Sequence, residues 1–240
     1  MEYHLEYFEK ILSEWNITLS DKQKRQFSTF YEILVEKNKV MNLTAITEFN
    51  EVIEKHFLDS VSLGAVIDLR KELSVLDMGT GAGFPGIPLK IVFPELKITL
   101  ADSLNKRIGF LNEVIEELKL EGITAIHARA EELARKSEYR EQYDLCVSRA
   151  VANLSTLSEY CLPFVSLSGK FVSYKSDDIL EEVEEAKKAV FLLGGQIEEV
   201  HRFTFGENDL HRSFVLIEKV KKTPKAYPRK AGTPSKQPLK

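Results

Sequence analysis

Between Glu72 and Val220 short apolar runs alternate with amphipathic stretches. The runs predict strands over 74–78, 97–102, 123–128, 143–148, 169–175, 196–204 and 213–220, and the stretches between them predict helices over about 86–93, 104–119, 130–138, 153–165 and 178–193. Alternation at this spacing builds a mostly parallel sheet covered on both faces. Only Phe205-Gly206-Glu207-Asn208-Asp209 separates the last two strands, too little for a crossover helix, so the final strand is expected to run antiparallel. Upstream, Leu5, Phe8, Ile11, Leu12 and Trp15 form one helical stripe, and Phe27, Phe30, Tyr31, Leu34 and Val35 a second, with Ser20 placed to cap it. A third helix is expected near Asn50 to Val66. Beyond residue 220, Pro224, Pro228, Pro234 and Pro238 exclude a continuing helix or a central strand. The expected organisation is a helical extension over 1–66, an α/β core over 67–220 and a basic, proline-containing arm over 221–240.

The first strand runs into four glycines, Gly79, Gly81, Gly83 and Gly86, with Phe84 and Pro85 among them. Glycines there let the backbone turn tightly and approach a ligand. Asp102 closes the second strand, where a carboxylate can accept hydrogen bonds from ribose hydroxyls. The Gly81, Gly83, Gly86 spacing also matches a dinucleotide fingerprint. Asp77 weighs against it: a carboxylate two residues before Gly79 repels a pyrophosphate but can pair with an ammonium group. S-adenosyl-L-methionine has that ammonium and no phosphate. The expected fold class is therefore α/β, a class I S-adenosylmethionine-dependent methyltransferase (Rossmann-like) seven-stranded sheet with an antiparallel last strand.

In such sheets ligands sit at the carboxyl ends of the strands. That rule gathers Asp77 to Gly86, Asp102 with Ser103, Ala130 with Glu131, and Arg149 along one edge. Backbone amides at Ala130 and Glu131 can read an adenine edge, with the small Ala128 and Ala130 leaving room for the ring, although Glu131 equally suits the start of a helix. A buried Arg149 calls for an anionic partner. Lys106 and Arg107 oppose the dipole of the helix they open unless they face an external anion, and Lys175 and Arg212 can reach the same rim. His56, Asp59 and Ser60 invite a hydrolytic-triad reading, but they share one helix rather than a strand-to-helix elbow, so they are expected to order the substrate approach.

Composition adds limits. Hydrophobic residues at 43% and charged residues at 29% describe a globular protein without membrane contact; no apolar run is long enough to span a bilayer and Met1-Glu2-Tyr3-His4 is no signal peptide, so a cytoplasmic location is expected. Cys146 and Cys161 read as buried thiols, and the five histidines have no metal-ligand spacing. The formal charge is −4, yet from Lys219 onward there are eight Lys or Arg and no acid, leaving −12 on the rest. The arm, with Arg229 and Lys230, can serve as a phosphate contact or as a docked C-terminal segment. No coiled-coil heptad asks for an oligomer, and a monomer is expected.

Taken together, Asn42-Leu43-Thr44, His56-Phe57-Leu58-Asp59-Ser60, Asp77 to Gly86, Arg129-Ala130-Glu131, Ser148-Arg149-Ala150 and Tyr227-Pro228-Arg229-Lys230-Ala231-Gly232 closely resemble the bacterial rRNA small-subunit methyltransferase G family, also called glucose-inhibited division protein B. The resemblance spans essentially the whole chain. It implies methylation of guanine N7 in the decoding-region loop of 16S rRNA, with the small ribosomal subunit as partner. It also implies cofactor contacts at Asp77, Gly79, Gly81, Asp102, Ala130, Glu131 and Arg149, and an RNA side at Lys106, Arg149, Lys175 and Arg212. Alternatives left open by the residues are a methyltransferase acting on another RNA, a protein or a small molecule, an NAD-dependent oxidoreductase, and an RNA-binding module without turnover.

Overall fold

The structure is a computed structural model that describes residues 3–149, 151–176, 179–206 and 209–240. Ala150 of the Ser148-Arg149-Ala150 motif, Asp178 at the start of one expected helix, and Glu207 with Asn208 in the expected turn lie outside the described residues.

Among the described residues the strands form one seven-stranded sheet: β1 (Ser74–Met78), β2 (Lys97–Asp102), β3 (Ile123–His127), β4 (Tyr143–Arg149), β5 (Val165–Lys175), β6 (Gly195–Phe205) and β7 (Leu210–Lys219), in spatial order β3-β2-β1-β4-β5-β7-β6. Strands β1 to β5 pair in parallel, and β7 is antiparallel to both β5 and β6. The antiparallel last strand was expected; its insertion between β5 and β6 was not. β6 and β7 pair as antiparallel neighbours, and β7 fills the gap left by the β5-to-β6 crossover. Strand β5 also starts earlier than expected, with Val165 paired to Tyr143 and a register shift between Tyr143 and Leu145.

The helices of the extension are α1 (Glu6–Glu14), α2 (Asp21–Met41), α3 (Phe49–Val52) and α4 (Asp59–Val61). Ser20 starts α2 with a reciprocal capping box to Gln23. Between α3 and α4 the expected third helix is wound as a π segment, Ile53–Leu58, a winding that recurs at functional sites. Core helices are α5 (Gly86–Val92), α6 (Asn105–Glu117), α7 (Ala130–Leu133), α8 (Leu154–Cys161) and α9 (Leu180–Leu192), and a single turn, α10 (Thr233–Lys236), lies in the arm. The helix expected over 130–138 is only the short α7.

Two apolar layers flank the sheet. On one face α1, α2 and the π segment bury Phe8, Phe27, Phe30 and Phe57, whose rings meet one another and reach Phe84. On the other, Leu76, Cys146, Leu157, Phe164 and Phe171 pack beneath α8 and α9. Truncating one buried Phe in such a layer costs about 3–5 kcal/mol, so the extension is bound to the core as one body. Strand order reverses at β1 and β4, and a crevice opens at their carboxyl ends, as the topology requires.

Candidate active site

At the end of β1, Asp77 is completely buried. Its Oδ2 accepts from Thr80 Oγ1 at 2.6 Å and from the Gly86 amide at 2.8 Å, while Oδ1 has no partner among the described residues. Burial pushes its pKa up to about 6. Asp77, expected to pair with the ammonium of a ligand, lies under the glycine loop and holds the loop to α5. Gly79, with φ +74°, has room for no side chain, since a Cβ there would meet Val151 Cγ2 at 2.6 Å. At Gly86 a Cβ would meet Leu100 Cδ2 at 2.3 Å and Asp77 Oδ2 at 2.8 Å, so the third glycine of the dinucleotide-like spacing serves helix-to-strand packing.

Above the loop lies a cavity of about 520 Å³ lined by Gly79, Gly81, Phe84, Asp102, Ser103, Ala130, Glu131 and Arg149, all expected from the sequence; Gly83 and Asp77 are not in its wall. Asp102 Oδ1 accepts from the Leu104 amide at 2.9 Å, and Oδ2 from the Gly81 amide and Arg107 Nη1, both at 3.0 Å. Arg107, expected on an RNA rim, is thus paired with Asp102 in the cavity wall. A carboxylate has about four acceptor positions, so Asp102 retains capacity for a ribose hydroxyl. A Cβ on Gly81 would have no neighbour nearer than Gly79 O at 4.0 Å and would project into free space. These features fit the adenosine half of S-adenosylmethionine.

Sequence reasoning missed several wall residues: Val151 and Tyr160, and Gly232 and Ser235 from the arm. Only their proximity to the strand ends identifies them, and that proximity is tertiary. Glu131 Oε1 accepts from the Gly232 amide at 2.8 Å.

Arg149, at the end of β4, also borders a second recess of about 410 Å³, lined by Lys55, His56, Asp59, Tyr174, Lys175, Ser176 and Arg212. Its Nη1 donates to Asp59 Oδ2 at 2.7 Å, and Arg212 Nε donates to Asp59 Oδ1 at 2.7 Å. Two guanidinium groups therefore share one carboxylate, and the trio keeps one positive charge in excess. The Arg149 guanidinium lies 4.9 Å from the centre of the Phe84 ring, on which His56 also stacks at 4.6 Å. Lys175 Nζ is 2.6 Å from Glu182 Oε1 and donates to Ala152 O at 3.0 Å. Lys106 stays exposed, with Nζ 3.5 Å from Met41 O.

His56 Nε2 sits 2.8 Å from Thr44 Oγ1, and burial together with the Arg149 charge lowers its pKa to about 4. Thr44 is placed by the turn after α2: Asn42 takes a left-handed conformation with φ 51°, and Asn38 Oδ1 accepts from the amides of Leu43 and Thr44. Ser60 Oγ donates to His56 O, and Ser60 O accepts from Tyr174. The side chains of His56 and Asp59 thus bond to Thr44 and the arginines, and that of Ser60 to the His56 backbone carbonyl, which is no hydrolytic relay. Arg229, expected to contact RNA, donates to Glu159, with Nη2 2.6 Å from Oε2, while Lys230 is exposed. Among the described residues no group of His, Cys, Asp and Glu could hold a metal ion, and no helix is long and apolar enough to cross a membrane.

The profile of the family described as GidB, rRNA small subunit methyltransferase G, matches residues 23–214. The chain is 53% identical over 228 residues to the ribosomal RNA small subunit methyltransferase G of Lachnoclostridium phytofermentans, covering 95% of this chain and 94% of that protein. It is 51% identical over 235 residues to the protein of the same name from Staphylococcus aureus, with 98% of each covered. Among solved structures, M. jannaschii TYW2 in complex with AdoMet aligns with a TM-score of 0.55 at 16% identity over 73% of this chain and 80% of that one. A putative sarcosine dimethylglycine methyltransferase from Galdieria sulphuraria aligns with a TM-score of 0.54 at 13% identity over 73% of this chain and 89% of that one. At such identities these two share the fold.

Proposed function

Because the chain belongs to the rRNA small subunit methyltransferase G family, we propose that it methylates N7 of a guanine in the decoding-region loop of 16S rRNA, using S-adenosylmethionine and acting on the small ribosomal subunit. The observation that carries this reading is the junction of two recesses at Arg149 and His56: a cavity suited to an adenosine, and a neighbour with excess positive charge suited to a polyanion.

Bound in the first, S-adenosylmethionine supplies a methyl group on a sulfonium. Guanine N7 carries an in-plane lone pair and no proton, so no general base is needed, and the protein's task is alignment. His56, neutral at ordinary pH, suits that requirement: stacked on Phe84, it lies 3.5 Å from Arg149 Nη2 and packs beside the guanidinium. Arg149 is the positioning residue, able to donate to guanine O6 while leaving N7 open. Lys175 and Arg212 border the second recess, Lys106 is exposed at the start of α6, and in this reading all three serve as phosphate contacts.

Small subunits lacking the modification, incubated with methyl-labelled S-adenosylmethionine and digested for mass spectrometry, are expected to yield 7-methylguanine at one position in the decoding-region loop. Label in another nucleotide, or on protein, would overturn the proposal.

A further inference from the structure

The basic arm is built into the methyl-donor cavity. Arg140 donates to the carbonyls of Thr223, Pro224 and Tyr227, and Arg135 to that of Pro228. Arg229 then forks onto Glu159, whose carboxylate is fully buried, and its Nη2 also donates to Gln237 O, folding the last residues back. Thr156 Oγ1 donates to Pro234 O at 3.1 Å, and Pro234 is buried. Each anchor satisfies a polar group inside the protein, and undocking the arm would leave the Glu159 carboxylate buried and unpaired, a costly state.

What these anchors present is the turn at Gly232. Its φ of +80° aims the amide at Glu131 Oε1, 2.8 Å away, and Gly232 and Ser235 complete the cavity wall beside Tyr160, with Ser235 Oγ donating back to Gly232 O at 3.1 Å. Asp102 marks the ribose position at the end of β2, so the stretch beyond it, after β3, is the adenine end. That end is lined by α7 and, beside it, by the arm.

We propose that Gly232–Ser235 forms the outer wall of the adenine end of the methyl-donor cavity, and that the Gly232 amide orients the Glu131 carboxylate towards the adenosine half. Donor binding and arm docking are then coupled, each favouring the other by the same factor. The inference rests on the S-adenosylmethionine reading of the cavity and is independent of what accepts the methyl group.

The test is a chain ending at Ala231, which keeps the Arg229–Glu159 pair, compared with the full chain by calorimetric titration. The probes are S-adenosylhomocysteine and 5′-deoxy-5′-methylthioadenosine, the second carrying the adenosine half without the amino acid. Losing a charge-assisted contact and the wall that excludes water is expected to raise both dissociation constants about tenfold or more. Constants within about twofold for both probes, or a loss confined to S-adenosylhomocysteine, would overturn the proposal. Should the shortened chain melt early, amide hydrogen exchange on the full chain decides: saturating S-adenosylhomocysteine is expected to slow exchange across 229–240, and unchanged exchange there would equally overturn it.

Discussion

Arg149 and Asp59 meet at 2.7 Å from elements 90 residues apart in sequence, the end of β4 and the start of α4. The pair joins the two recesses: Arg149 faces both, and Asp59 holds it with Arg212 on the other oxygen. With side-chain exposures of 14% and 6%, Arg149 and Asp59 are shielded enough that their geometry is kept.

If that geometry aligns donor and acceptor, Arg149→Ala should lower kcat/KM for small subunits by about a hundredfold. Arg212 remains on Asp59 in this variant, so the fold should persist. Methylation rates equal to those of the parent chain, under limiting cofactor and under limiting subunits, would exclude a positioning role.

Arg212 is further from the donor cavity, and Arg212→Gln should separate binding from chemistry. Removing one phosphate contact is expected to weaken subunit binding and to reduce the salt dependence of log K by roughly one. Cofactor affinity, measured alongside by calorimetry, should not move. An unchanged salt slope would show that this guanidinium serves only Asp59.

Asp77 predicts an acid-side signature. Its pKa is raised from 3.8 to about 6, so the folded state holds the proton more tightly than the unfolded chain. Stability from this group is fully present below the unfolded value and is lost as pH rises through about 6, an effect of about 3 kcal/mol. Asp77→Asn keeps the acceptor for Thr80 and Gly86 and removes the titration. Urea unfolding of both chains on either side of this window should therefore show the variant gaining relative stability as pH rises; a constant difference would place the titration elsewhere.

His56 has the opposite sign. Its pKa falls from 6.5 to about 4, so its contribution is present above 6.5 and is lost as pH drops towards 4. Ring resonances followed by NMR should show His56 uncharged down to about 5, well below an exposed histidine. A midpoint near the exposed value would mean that the Phe84 stack and Arg149 do not shield the ring.

Gly86→Ala tests the loop itself. With a Cβ 2.3 Å from Leu100 and 2.8 Å from Asp77, overpacking should cost about 1–3 kcal/mol in chemical denaturation. A neutral effect would mean that α5 can shift away from β2 without loss.

Much of the architecture was legible in the residues because it is local. Strand and helix periods, the glycine loop and an acid at the tip of β2 each follow from a few neighbouring positions, and the observed β1 and β2 match the expected ranges. The family resemblance added the acceptor. What local pattern could not supply was the partner of each charge. Arg229 was open to a phosphate contact or to a docked arm and pairs with Glu159; Arg107 looked like a rim residue and lies on Asp102.

The sequence by itself determined the sheet, its covered faces, the cavity at the strand ends and the residues that line its inner wall, since periodicity and backbone freedom are encoded position by position. Tertiary structure alone decided that Asp77 lies beneath the loop, that β7 enters between β5 and β6, that Asp59 gathers Arg149 and Arg212, and that the arm closes the cavity at Gly232. These are pairings across tens of residues, and they are settled by which buried polar groups find one another once the apolar layers have closed.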